Sequence, residues 1–235
     1  MSHSRVAVTH YCERASDLFW AEPINATTNL IFLIAAFILI RKLQRFEEPF
    51  PKVWDIWLLS ILIAGIGIGS FLWHTFATPW AELADVIPIG LFITLFLISF
   101  LLRILRLDTS WIVFWTILFL GFTFYLLNRL PSDLLNGSVF YLPAWIGVWL
   151  LVISCKIIDL KHVNRLVYAA VAFTLSLSFR TIDQMVCDFW PWGTHFLWHL
   201  MNGLALYFVM SVLIAGSMYE FGPDEREKMI ETNAE

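Results

Sequence analysis

Three of the six histidines in this chain are spaced for joint chemistry. His195 and His199 stand four residues apart in Gly193-Thr194-His195-Phe196-Leu197-Trp198-His199, so on a helix both imidazoles share one face. Ser70 and His74 repeat that spacing in Gly69-Ser70-Phe71-Leu72-Trp73-His74, and Glu82 and Asp85 open the next apolar run. Two imidazoles one turn apart form a zinc half-site, and a third His with an open fourth position completes the catalytic pattern. The plainer reading is that each His makes a hydrogen bond between packed helices. A carboxylate in the same layer favours the metal.

The elements that must position these residues are membrane helices. The 235 residues are 59% hydrophobic and 14% charged, with a mean hydropathy of +0.73. Soluble domains are roughly 45–50% apolar and about 25% charged. Such a composition excludes a soluble globular domain and a disordered chain. A net charge of −4 excludes a nucleic-acid binder, which needs a basic excess. Cys12, Cys155 and Cys187 are too few for a disulfide framework or a Cys-rich zinc module. One pair can bridge, but the spacing demands none.

A bilayer core takes about 20 apolar residues per helix. The charge-poor runs predict seven helices, at 22–42, 54–75, 81–105, 110–128, 138–157, 163–182 and 193–217. The expected fold is therefore an all-α membrane protein, a seven-transmembrane helix bundle forming one domain over 1–218. A charged cytoplasmic tail follows over 219–235. No apolar run with a cleavage site marks a signal peptide near the start. Helix 7 carries no lysine, which excludes a retinal Schiff base there.

Eleven of the fifteen Lys and Arg residues fall on one side of this plan: Arg41, Lys42, Arg45, Lys52, Arg103, Arg106, Lys156, Lys161, Arg165, Arg226 and Lys228. Arg5, Arg14 and Arg129 fall on the other. Positive loops stay cytoplasmic, so the N-terminus is expected outside and the C-terminus inside. His74 then ends an outward helix, while Asp85, His195 and His199 begin inward ones. All four share the outer layer of the bilayer, where ionisable groups mark function. Gly65, Gly67 and Gly69 read as a close helix-packing surface. Arg180 and Asp183 read as a structural ion pair at the outer end of helix 6 or, as the less favoured alternative, as groups leaning into the site.

With these residues laid out, the chain resembles the alkaline ceramidase family, seven-helix membrane hydrolases of a superfamily that also contains adiponectin-receptor-like proteins. The resemblance rests on Glu22-Pro23-Ile24-Asn25-Ala26-Thr27-Thr28-Asn29-Leu30-Ile31-Phe32, on Gly69-Ser70 through His74 followed by Asp85, on Ile182-Asp183 with Cys187, and on Thr194 through His199. It implies zinc held by His74, His195 and His199, with Ser70 and Asp85 as the remaining catalytic pair. It also implies hydrolysis of ceramide to a sphingoid base and a fatty acid. Asp85 would move the proton from water to the leaving amine, and Ser70 would donate to the oxyanion.

The departure is near the N-terminus. Eukaryotic members carry an acidic Asp-Trp-Cys-Glu segment that binds calcium, with an Asn and a distal Glu. Here the stretch reads His10-Tyr11-Cys12-Glu13-Arg14-Ala15, without the Asp or the Asn. Glu13 and Glu22 remain as a second metal or entrance site for Ca2+, with Asp17 as a substitute ligand. Two other readings stay open. One is hydrolysis of another N-acyl or ester lipid; the other is a non-catalytic seven-helix receptor. The expected partners are a membrane lipid and the bilayer, and the short loops point to a bacterial inner membrane.

Overall fold

The structure, a computed structural model, describes residues 11–45, 50–131, 133–160 and 163–219. His3, His10, His162 and the tail from 220 lie outside the described residues. Seven helices are long and apolar enough to cross a membrane, and the described residues contain no strand. The seven-helix bundle expected above is what forms. We number them α1 (Pro23–Leu43), α2 (Phe50–Phe76), α3 (Pro79–Arg103), α4 (Thr109–Arg129), α5 (Leu142–Ile157), α6 (Val163–Val186) and α7 (His195–Tyr219).

Local chemistry explains most boundaries. Pro23 and Pro79 occupy first-turn positions of α1 and α3, where a missing N–H costs nothing. A 3-10 turn, Ser138–Tyr141, leads into α5 after Gly137 adopts a left-handed φ of 75°. α6 runs one turn beyond the expected end at 182. Asp183 lies one residue past that expected end. Its carboxylate is taken by main-chain N–H groups outside the helix, from Cys12 (3.2 Å), Thr194 (2.6 Å) and His195 (2.9 Å).

That geometry replaces the expected Arg180–Asp183 pair. Asp183 is structural, but it ties the N-terminal segment and the start of α7 to α6. A Cys12–Cys187 disulfide crosses the same junction, leaving Cys155 free and buried. Gly193, at φ +63°, makes the turn into α7, and a Cβ there would lie 2.8 Å from Cys12 Cβ.

The closest helix pairs are α2 with α3 and α6 with α7. Gly69 sits at the α2–α3 crossing, where an added Cβ would collide with the Ala84 carbonyl and lie 3.0 Å from Asp85 Cα. Gly67 faces Phe32 of α1 in the same way, with 2.9 Å to its Cβ. The glycine stripe is thus a packing surface, as expected. It brings α2 and α3 to backbone contact at Gly69. Away from that end, Leu39, Ile56, Leu59, Ile63, Phe100 and Leu213 form an aliphatic and aromatic core. α4 is the least enclosed span, with Phe114, Trp115 and Ile117 turned outward.

Candidate metal centre

His74 lies at the end of α2, and His195 and His199 open α7. Antiparallel threading places all three at one end of the bundle. Their nearest ligand nitrogens lie within 4.8 Å of one another, and each residue is at most 1% exposed. Ring centroids are separated by 4.7 Å (His195–His199), 4.8 Å (His74–His199) and 5.1 Å (His74–His195).

Two of the rings are held from behind. His74 Nδ1 lies 2.6 Å from Glu22 Oε2, so the ring donates there and turns Nε2 inward. His199 Nδ1 lies 2.9 Å from Thr28 Oγ1, whose own proton goes to the Ile24 carbonyl at 2.8 Å. Thr28 therefore accepts, and His199 Nε2 keeps its lone pair. This support is typical of metal-bound imidazole. The third ring, His195, is sandwiched instead, between Tyr11 (centroids 3.8 Å apart) and Trp198 (5.0 Å).

The donor set fits a zinc ion. His74 Nε2, both nitrogens of His195, Asp85 Oδ1 and Trp198 Nε1 are buried without any hydrogen-bond partner. Buried polar atoms are nearly always satisfied, so several unsatisfied ones at one place ask for an occupant. Ser70 Oγ stands 3.5 Å from His199 Nε2, and the Ser70 side chain also interacts with the Asp85 carboxylate. The structure thus brings together five of the six residues singled out in α2, α3 and α7, Ser70, His74, Asp85, His195 and His199, whereas Glu82 is exposed.

Glu13 and Glu22 have other employment. Glu13 accepts the N–H groups of Ile24 (2.6 Å) and Asn25 (2.8 Å), capping α1 from ten residues upstream. Glu22 Oε1 is ion-paired with Arg14, and Oε2 takes His74 and the Asn25 side chain at 3.0 Å. Burial raises the Glu22 carboxyl, but its His74 and Arg14 partners more than offset this and hold it below the usual value. Asp17 is exposed. Glu22 is thus in direct contact with one of the three histidines.

Sequence reading assigned no role to Thr28, Tyr11, Trp198 or Arg14. One signal was available for Thr28. Asn25, Thr28 and Asn29 form a polar i, i+3, i+4 face at the start of an apolar span. Below the histidines an apolar cavity of about 130 Å³ opens, bounded by Phe32, Phe92, Phe96, Tyr141, Trp198 and Val209.

The sequence model of the ceramidase family matches residues 5–233. The chain belongs to the ceramidase family. No curated protein matches it. Membership identifies a hydrolase acting on amides, a ceramide-hydrolysing enzyme embedded in the membrane.

Proposed function

We propose that this ceramidase is zinc-dependent, with the ion held by His74, His195 and His199, and that it releases a sphingoid base and a fatty acid. The observation that carries this reading is the clustering of three imidazoles whose ligand nitrogens lie within 4.8 Å of one another, with His74 Nε2, both His195 nitrogens and Asp85 Oδ1 buried without a hydrogen-bond partner. A bound zinc supplies Lewis acidity toward the scissile carbonyl and acidifies a water molecule.

The remaining work falls to the chain. Asp85, with Oδ1 uncommitted, accepts a proton from the attacking water. It then delivers that proton to the amide nitrogen as the C–N bond breaks, so the amine leaves neutral. Ser70 donates a hydrogen bond to the carbonyl oxygen as that oxygen gains charge. The apolar cavity, reaching the site at Trp198 and Tyr141, takes a hydrocarbon chain. Arg180 lies 5.3 Å from the Trp198 ring and 5.6 Å from that of Tyr141, with Nε unpartnered. It offers a donor to the polar end of the substrate.

We also propose that this end of the bundle faces outward, in a bacterial inner membrane. The positive-inside distribution supports it. So does the Cys12–Cys187 disulfide at the same end, because disulfides persist on the oxidising side of a membrane.

The test is to incubate the purified chain with ceramides, other N-acyl lipids and ester lipids, and to follow released fatty acid by mass spectrometry. Ceramide cleavage that disappears on zinc removal and returns with zinc is the expected result. Cleavage confined to another lipid would reassign the substrate. Bound zinc without turnover of any lipid would favour a receptor.

A further inference from the structure

A second buried cluster of charge adjoins the histidines. It consists of Glu13, Arg14 and Glu22, exposed by 8%, 5% and 2%. The family resemblance leads one to expect calcium at this segment. The donor set does not fit that ion. Calcium takes six to eight oxygen ligands, yet both Glu13 oxygens here accept main-chain N–H groups. Of the Glu22 oxygens, one is paired with Arg14 and the other is shared by His74 and Asn25. The positive charge beside Glu22 is already supplied, by the Arg14 guanidinium.

Its contacts are specific. Arg14 Nε donates to Glu22 Oε1, Nη2 donates to the His74 carbonyl at 2.8 Å, and Nη1 reaches the Ser16 carbonyl at 3.4 Å. Arg14 therefore grips His74 twice. It holds the main-chain carbonyl directly, and it holds the side chain through the carboxylate that receives Nδ1–H. A divalent ion bridging Glu22 to the end of α2 would do the same.

We propose that the Arg14 guanidinium is a permanent, covalently attached replacement for an exchangeable cation, and that it positions His74 as a metal ligand. This rests on the zinc reading above. Arg14 acts only through Glu22 and the His74 carbonyl, so it is a positioning residue. A lysine carries the same charge, but it cannot offer two N–H groups at the fixed angle of a guanidinium.

The experiment measures zinc affinity by competition with a chromophoric chelator, normalised to folded protein. The full-length purified wild type, Arg14→Ala, Arg14→Lys and Arg103→Ala are compared. Each is measured with and without about 5 mM calcium, enough to fill a site of millimolar affinity. Loss of an outer partner of a metal-bound histidine costs about 10- to 100-fold in metal affinity. Arg14→Ala should fall in that range, and Arg14→Lys should lie between it and wild type. Arg103→Ala should lower the melting midpoint and leave zinc affinity alone. Calcium should change neither zinc affinity nor melting of the wild type.

Folded Arg14→Ala with wild-type zinc affinity would overturn the positioning role. Should that variant not fold, Arg14→Lys at wild-type affinity would overturn it equally. Calcium-dependent melting or zinc binding in the wild type would overturn the replacement. Wild type that binds no zinc would remove the zinc reading and this inference together, whereas the other outcomes remove this one alone.

Discussion

Arg103 of α3 grips Asp55 near the start of α2, with Nε to Oδ2 at 2.8 Å and Nη2 to Oδ1 at 2.6 Å. At the far end of the same helix, Arg14 grips Glu22 beside His74. Both are guanidinium–carboxylate pairs, and both are largely buried. They differ in what the second carboxylate oxygen does. Asp55 gives both oxygens to Arg103 and also interacts with Ser99 of the same helix, joining α2 to α3. Glu22 gives one oxygen to arginine and the other to an imidazole whose far nitrogen has no partner. One pair closes a junction, and the other hands its order on to a site.

The two ends of the bundle differ in the same way. At the Asp55 end, Ile56, Leu59 and Phe100 belong to the packed apolar core. Around Glu22 the buried atoms include several that lack partners, and unsatisfied atoms are expensive unless something arrives to satisfy them. Stability and function are thus separated along α2, and variants at the two ends should sort accordingly.

The largest effect is expected at the functional end. On the zinc reading proposed above, His74→Ala removes a ligand, so zinc and hydrolysis should fall together to background, read by elemental analysis and fatty-acid release. Stoichiometric zinc in that variant would take His74 out of the ligand set. Next comes Asp85→Asn, which keeps size and hydrogen bonding but cannot take a proton. A positioned acid–base group contributes about 10²–10⁴-fold in rate. Turnover should drop within that range with zinc near the wild-type level. Retained turnover would make Asp183 or Glu22 the base to examine, and zinc lost as in His74→Ala would make Asp85 a ligand.

Glu22→Gln is a smaller perturbation of the same end. The amide oxygen can still accept His74 Nδ1–H, while the charge that faces Arg14 disappears. Zinc affinity should weaken by about 10- to 100-fold, and excess zinc should restore most of the hydrolysis. Activity that stays lost at saturating zinc would give Glu22 a direct part in the chemistry.

How much of this was legible beforehand follows from what each feature depends on. The seven spans were readable because each is a local run of apolar residues whose length the bilayer sets. The i, i+4 pairs Ser70/His74 and His195/His199 were readable because a helix puts such residues on one face. The glycine stripe was readable as packing, though which backbone it met was not. The family resemblance singles out Glu22 as part of a second metal or entrance site, but does not assign it to His74, since the contact joins residues far apart in sequence. Arg14 reads in sequence only as a charge on the outer side, because a charged residue before the first span looks like a solvated one. Asp183 was given the wrong partner, because main-chain donors from Cys12 and Thr194 leave no mark in residue type.

The smallest expected effect on the site tests the comparison from its other side. Asp55→Asn keeps the shape of the Asp55 side chain and removes its charge, so Arg103 loses its charge-assisted partner. Hydrogen bonds to charged groups contribute about 1.5–3 kcal/mol each before compensation. The net loss here should be about 1–3 kcal/mol, because the Arg103 side chain is 11% exposed and can regain water. Arg103 also keeps its bond to the Lys52 carbonyl at 2.7 Å, which limits the loss further. The melting midpoint in a fixed detergent should therefore fall by a few degrees, about 2–4 °C per kcal/mol for a chain of this size. Zinc affinity and the turnover of folded protein should not move, because no chain of hydrogen bonds leads from Asp55 to a histidine among the described residues. Should zinc affinity fall in Asp55→Asn as it does in Glu22→Gln, α2 would be transmitting strain along its length, and the two ends could no longer be treated as separate.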